Sequence, residues 1–109
     1  MLVQVDELNI FVATGGKHFD PDLPTILFLH GSGGDHRTWA MQTRWFAYNG
    51  FSVLAPDLPG HSLSDGNAFS TIEDSGIWLA KFLHALSVDK VHLVGHSQGF
   101  LTALVFAEH

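Results

Sequence analysis

The sequence has no cysteine and few basic residues: five lysines and arginines stand against eleven aspartates and glutamates, a formal charge of −6 over 109 residues. This acidic surplus, with no cluster of lysine or arginine anywhere, argues against nucleic acid and anionic membrane surfaces as partners. No apolar run approaches the roughly 18 residues that a membrane-spanning helix needs. We therefore predict a chain with no nucleic-acid partner and no membrane insertion.

The amino terminus also lacks a secretion signal, because residues 1–4 (MLVQ) carry no basic segment and no apolar core follows. The absence of cysteine is compatible with the same conclusion, and we expect a cytoplasmic protein. The eight histidines show no zinc-type spacing to cysteine or glutamate, so we predict no metal and no cofactor. The length fits one compact domain over residues 1–109, with no indication of oligomeric state.

Short apolar runs predict the strands. Residues 25–29 (TILFL), 51–55 (FSVLA) and 91–94 (VHLV) show little polar alternation, which is typical of strands buried on both faces. Residues 3–12 alternate instead and predict an antiparallel hairpin of two short strands. Helices are predicted between the buried runs, and this order of elements predicts an α/β fold, a mostly parallel sheet with helices on both faces.

The two predicted helices have recognisable starts. The first is expected to be capped by Asp35 or Thr38 and to run to about Tyr48, where Asn49 and Gly50 stop it. The second begins at a capping box in residues 70–73 (STIE). Its predicted apolar stripe, with one residue per turn, consists of Ile72, Gly76, Leu79, Leu83 and Leu86.

Residues 95–99 (GHSQG) carry the most specific chemical signal. They lie directly between an apolar strand and a helix-like run, the setting in which G-x-S-x-G holds a nucleophilic serine. A sharp turn there lifts the Ser97 hydroxyl clear of the backbone, where a base can reach it. Gly95 and Gly99 avoid Cβ contacts between strand and helix, and the helix directs its free N–H groups at developing negative charge. The alternative is a glycine-rich turn with a solvated serine.

A second glycine-rich segment, residues 30–34 (HGSGG), follows a predicted buried strand. Open α/β sheets place their sites at the carboxyl ends of parallel strands. We therefore interpret the N–H of Ser32, acting with the N–H of Gln98, as the donors that bind an oxyanion. The alternative interpretation is a turn that requires positive φ.

A dinucleotide-binding site is a rival interpretation of the same segment. Gly31 and Gly33, with Asp57 at the end of the next strand, imitate the glycine fingerprint of such sites. His36 occupies the position of the third glycine, where close helix packing requires no side chain. The rival also leaves residues 95–99 unexplained, so we reject it.

The segment 57–66 (DLPGHSLSDG) contains an aspartate and a histidine that could suggest a triad with Ser97. We expect Asp57 instead to bind backbone N–H groups of its own turn. His96 adjoins the serine and cannot turn back to its hydroxyl, and His109 is about 18 Å away along a helix. The remaining histidines are interpreted as surface or packing residues: His18, His36, His84 and His92.

In their order, segments 30–34, 57–64 and 95–99 resemble the amino-terminal part of an α/β-hydrolase, and the resemblance covers essentially all 109 residues. It implies a serine hydrolase with Ser97 as nucleophile, the oxyanion donors named above, and a small-molecule ester or acyl compound as partner. A serine here argues against the dehalogenase and epoxide-hydrolase branches, which use aspartate. Five motif residues receive structural roles: His30, Gly31, Asp57, Gly95 and Gly99.

The sequence departs from the family's pattern in three places. Phe100 stands where many members have a second glycine, and Ser62 replaces a glycine often found in the middle segment. The family's acid and histidine follow the serine, whereas only twelve residues follow Ser97. The chain is therefore interpreted as the front part of a longer protein. With a free edge at its last strand, it is expected to self-associate or dissolve poorly and to show little turnover alone.

Carboxylic ester hydrolysis is the main functional prediction. A lipase acting on long-chain esters and a hydrolase of carbon–carbon bonds remain alternatives on the same scaffold. A non-catalytic binding protein that keeps the fold is the alternative of a different class. The discriminating feature is an Asp or Glu followed by a His at strand ends after residue 109.

Overall fold

The computed structural model describes residues 1–96. This range forms five strands: β1 Leu2–Val5, β2 Leu8–Ala13, β3 Thr25–Leu29, β4 Ser52–Pro56 and β5 His92–Gly95. It also forms two α-helices, α1 Ala40–Ala47 and α2 Ile72–Ala85. A 3₁₀ turn, His36–Trp39, leads directly into α1.

The strands form one sheet in the order β1-β2-β4-β3-β5. β3 pairs in parallel with β4 on one side and with β5 on the other. The hairpin of β1 and β2 is antiparallel, as predicted, and it joins β4 through an antiparallel pairing of Val12 with Pro56. The predicted α/β fold is therefore confirmed, with the antiparallel part supplied by the hairpin.

β3 shows how the sheet is covered on both faces. Successive side chains of a strand point to opposite faces. Leu27 and Leu29 contribute to a core that includes residues of α2, whereas Ile26 and Phe28 contribute to a second core on the side of α1. All five residues of β3 are buried. None of the helices formed by residues 1–96 is long and apolar enough to span a membrane.

Two of the three parallel strands lie one residue later in the chain than the sequence predicts. β3 has the predicted bounds, but β4 and β5 each begin and end one residue later than predicted. Pairing explains the shift, because the ladder joins Thr25 to Ser52 and Leu29 to Gly95. Apolar character alone does not define where backbone pairing starts and stops.

The helices differ from prediction at their first turns and in the width of one buried face. The first helix starts as a 3₁₀ turn, in which Asp35 accepts the Arg37 N–H at 2.8 Å. In α2 the N-cap is Thr71, whose hydroxyl accepts the Asp74 N–H at 3.0 Å, so the predicted cap at residue 70 was one residue early. The predicted stripe of α2 also omitted Trp78 and Phe82, which are buried and stacked with centroids 5.1 Å apart.

Candidate functional site

Among residues 1–96, two loops leave the sheet at the carboxyl ends of its parallel strands. One follows β3 (residues 30–35) and one follows β4 (residues 57–66). β5 lies beside β3, and His96 is the last described residue after it. Leu29 is paired with Gly95, and the His96 N–H donates to the Leu29 carbonyl at 3.1 Å. This contact brings the start of the loop after β3 next to the first two residues of the GHSQG motif.

His30 fixes the start of the loop after β3. Its ring is fully buried, Nδ1 donates to the Gly31 carbonyl at 2.7 Å, and Nε2 accepts the Leu58 N–H at 3.0 Å. Because one nitrogen donates and the other accepts, the ring is the neutral Nδ1–H tautomer. Burial lowers the pKa of His30 below its ordinary value of 6.5, although the bond to Gly31 opposes this shift. His30 therefore joins the two loops as an uncharged bridge.

Ser32 and Gly33 form the open part of this loop. Both are exposed, and neither N–H has an acceptor among residues 1–96. Gly33 has φ +77°, and a Cβ built on it meets no atom within 4 Å. The positive φ that one interpretation required is thus present at Gly33. The N–H groups of Ser32 and Gly33 are also free, and a free N–H is what an oxyanion donor requires.

Asp57 is the best connected side chain of the site. It is fully buried, and its Oδ1 accepts both the His36 N–H at 2.7 Å and the His36 Nδ1–H at 2.9 Å. Its Oδ2 accepts the Leu63 N–H at 3.2 Å. Asp57 binds a backbone N–H of its own turn, as expected, but it also holds the neighbouring loop.

His36 is a packing residue with a role that the sequence analysis did not predict. Its ring packs on Phe11 at 4.8 Å between centroids, and it is also bonded to Asp57. A signal was available in the sequence. His36 and Asp57 both follow adjacent parallel strands, so both belong to the same edge of the sheet.

Asp35, His36 and Asp57 place possible metal-ligand atoms within 4.8 Å of one another. These atoms already have partners. The Arg37 guanidinium contacts both oxygens of Asp35, at 3.1 and 2.7 Å, and lowers the pKa of Asp35 to about 2. A cation would have to displace these bonds and those of His36 to Asp57. We therefore interpret the cluster as a tie between two loops and assign no metal site to it.

The other histidines with described positions are engaged elsewhere or exposed. The ring of His61 lies 4.9 Å from that of His30, and its Nδ1 is 3.1 Å from the Pro59 carbonyl, within its own loop. The ring of His96 meets the edge of Trp39 at 6.4 Å. His18, His84 and His92 are exposed.

Several predicted site residues fall outside residues 1–96. These are the nucleophile Ser97, the second oxyanion donor Gln98, the motif residue Gly99 and the departure at Phe100. Their assigned roles stay predictions. Gly95, the first residue of the motif, is described and ends β5.

Residues 26–108 match the model of the alpha/beta hydrolase family. A dihydrolipoyllysine-residue acetyltransferase component of the acetoin cleaving system of Cupriavidus necator is 37% identical over 76 residues, which are 69% of this chain and 20% of that protein. The 2-succinyl-6-hydroxy-2,4-cyclohexadiene-1-carboxylate synthase of Escherichia coli is 36% identical over 91 residues, covering 84% of this chain and 35% of the synthase.

Solved structures show the same fold. A bacterial membrane phospholipase A, described as a virulence factor, superposes with a TM-score of 0.86 and 33% identity, covering 98% of this chain and 34% of that one. Epoxide hydrolases and haloalkane dehalogenases are also among the structures with this fold. The chain thus spans from a fifth to about a third of the length of the proteins described here.

Proposed function

The chain belongs to the alpha/beta hydrolase family, and we propose that it contributes the nucleophile and the oxyanion donors of a serine hydrolase of carboxylesterase type. The proposed substrate is a small-molecule carboxylic ester or a related acyl compound. Ser97 is the proposed nucleophile, and it forms an acyl-enzyme. The N–H groups of Ser32 and Gln98 are the proposed oxyanion donors.

The observation that carries this proposal is the free N–H of Ser32 in a loop beside the end of β5. The loop leaves β3 at Leu29, whose carbonyl accepts the N–H of His96, the residue before Ser97. Because Ser32 is exposed, its N–H is open to solvent and can bind a ligand atom without breaking a bond within residues 1–96. An accessible N–H next to a strand-to-helix serine motif supports a role in binding negative charge.

The proposed reaction uses backbone donors and a hydroxyl. Oγ of Ser97 attacks the acyl carbon while a base removes its proton, and the charge that develops on the carbonyl oxygen is stabilised by the two N–H groups. The alcohol leaves with a proton, and water then attacks the acyl-serine to release the acid and restore the hydroxyl. No cofactor is required. The family's acid and histidine follow the serine, so we propose that they belong to the remainder of a protein as long as its relatives.

A lipase-type activity on long-chain esters is the second candidate, because the membrane phospholipase A is 33% identical to this chain over nearly its whole length. The relationship to the Escherichia coli synthase keeps a carbon–carbon bond hydrolase as a further alternative. Epoxide hydrolysis and dehalogenation are disfavoured, since Ser97 replaces the aspartate of those branches.

Labelling of the full-length gene product with a fluorophosphonate probe tests the proposal. We expect one adduct, located at Ser97 by peptide mass mapping and absent from Ser97→Ala. The matched control is Ser87→Ala, a serine outside the motif, which should label at the normal rate. No adduct on the wild type would favour a non-catalytic binding protein, and an adduct retained in Ser97→Ala would show that the nucleophile is another residue. Rates with p-nitrophenyl esters of two to sixteen carbons then separate esterase from lipase.

A further inference from the structure

The loop after β3 is anchored at both of its ends to two consecutive residues of the loop after β4. At its start, His30 Nε2 accepts the Leu58 N–H at 3.0 Å. At its far end, the backbone and the ring of His36 both donate to Asp57 Oδ1, at 2.7 and 2.9 Å. Ser32 and Gly33 lie between these two anchors.

The anchoring loop is itself held to the hairpin. The Asp57 N–H donates to the Phe11 carbonyl at 2.9 Å, and the Phe11 N–H donates to Ser64 Oγ, also at 2.9 Å. Asp57 is fully buried, and the His36 ring is 18% exposed and packed on Phe11. At the far anchor, the buried Asp57 carboxylate therefore accepts one backbone N–H and one side-chain N–H of the loop after β3, and the side-chain N–H belongs to His36.

We propose that the His36 side chain is a positioning residue that holds the Ser32 N–H in place by closing this second anchor on Asp57; the inference rests on the oxyanion role given to Ser32 under Proposed function. An oxyanion donor acts only within about 2.7–3.1 Å of the oxygen it stabilises. Between the anchors, Gly33 adopts a positive φ with open space around it. Within the loop, the Gly31 carbonyl accepts from the Gly34 N–H at 3.0 Å and from His30 Nδ1 at 2.7 Å, and neither bond involves the N–H of Ser32.

The choice of nitrogen makes the proposal specific. Only Nδ1 of His36 reaches Asp57, and an asparagine amide N–H₂ occupies about the same place as Nδ1, whereas a glutamine amide occupies about that of Nε2. His36→Asn should therefore keep the side-chain bond of this anchor, and His36→Gln should lose that bond. Both variants keep the backbone N–H that Asp57 also accepts, so the 3₁₀ turn retains its start.

The test compares these two variants in the full-length gene product. We expect His36→Gln to lower the rate constant of Ser97 phosphonylation, and the kcat for ester hydrolysis, by about tenfold with KM unchanged. His36→Asn should stay within about twofold of the wild type, because the donor is restored. Equal rates for all three proteins, or equal losses for both variants, would overturn the proposal.

A second readout does not depend on catalysis. Backbone ¹⁵N order parameters of Ser32 and Gly33 should fall below about 0.6 in His36→Gln and remain near the wild-type values in His36→Asn. If the wild type is not phosphonylated, the proposed function fails and this measurement alone decides the anchor. Order parameters unchanged in His36→Gln would overturn it.

Discussion

The loops after β3 and β4 leave neighbouring strands at the same edge of the sheet, but their backbones are held in different ways. In the loop after β4, N–H groups of Gly60, His61 and Ser64 bind carbonyls of the same loop, and the Asp65 N–H binds Asn9 of the hairpin. In the loop after β3, the internal backbone bond is that of Gly34 to Gly31, and the N–H groups of Ser32 and Gly33 have no acceptor among residues 1–96.

This difference separates a supporting loop from one that can bind a ligand. Backbone N–H groups that are already bonded within the protein cannot stabilise charge on a substrate. The loop after β3 keeps such groups free and receives its order from its ends, through His30 and His36. The loop after β4 supplies that order, which explains why a buried carboxylate is placed there.

The largest effect is expected from the carboxylate that joins the loops. Asp57→Asn replaces one of the acceptor oxygens by an N–H₂ group that faces N–H donors, so it should lower the free energy of unfolding by about 3 kcal/mol. The matched control is Asp22→Asn, the same change at an exposed position, which should stay within about 0.5 kcal/mol. Urea unfolding monitored by tryptophan fluorescence gives both values. Similar losses in the two variants would contradict a central role for Asp57.

Two glycines with almost equal φ allow the loops to be compared directly. Gly60 and Gly33 have φ +78° and +77°, but a Cβ on Gly60 would clash with the Ala68 backbone nitrogen, whereas a Cβ on Gly33 meets no atom within 4 Å. Gly33→Ala should lower the free energy of unfolding by about 1 kcal/mol, because alanine is strained in the left-handed conformation. Gly60→Ala should lower it by about 3 kcal/mol, because the added Cβ also overpacks the loop. Equal losses by urea unfolding would show that the two loops are equally tight.

Because His30 is buried in its neutral form, we expect the free energy of unfolding to depend on pH. Since burial holds its pKa below 6.5 in the folded chain, the unfolded chain takes up the proton first as the pH falls. Stability from this group is complete above pH 6.5 and decreases below it, with a slope of at most about 1.4 kcal/mol per pH unit. His30→Gln keeps an acceptor for the Leu58 N–H but does not titrate. Its stability curve between pH 7.5 and 5.5 should be flatter than that of the wild type, and parallel curves would contradict the assignment.

The smallest effect concerns the departure from the family's pattern at Ser62. This residue adopts φ +44°, a left-handed conformation that glycine accepts without strain. Ser62→Gly should raise the free energy of unfolding by no more than about 1 kcal/mol, because the gain is reduced by the greater freedom of glycine in the unfolded chain. A loss of stability on urea unfolding would show that the serine is not strained there.

Elements defined by local pattern could be predicted from the sequence. The apolar run 25–29 is β3 as predicted, and the alternating residues near the amino terminus form the hairpin. Trp78 and Phe82 of α2 were omitted because the width of a buried helical face depends on what the helix packs against. A stripe that takes one apolar residue from each turn is narrower than the face that a packed helix buries.

In the candidate site, too, the residues defined by local pattern could be predicted, whereas contacts between distant parts of the chain could not. The glycine segment, His30 and Asp57 were recognised because each directly follows a buried strand. The bond between His36 and Asp57 joins residues 21 positions apart, and only the neighbouring positions of β3 and β4 in the sheet bring them together. Ser97, Gln98 and Gly99 lie outside the described residues, and their roles remain predictions.

The most direct test of the account is a crystal structure of the full-length gene product after phosphonylation, because the phosphonyl oxygen takes the place of the oxyanion. We expect phosphorus bonded to Ser97 Oγ and a phosphonyl oxygen about 2.7–3.1 Å from the backbone nitrogens of both Ser32 and Gln98. A phosphonyl oxygen held by other donors, with the Ser32 N–H turned away from it, would contradict the account.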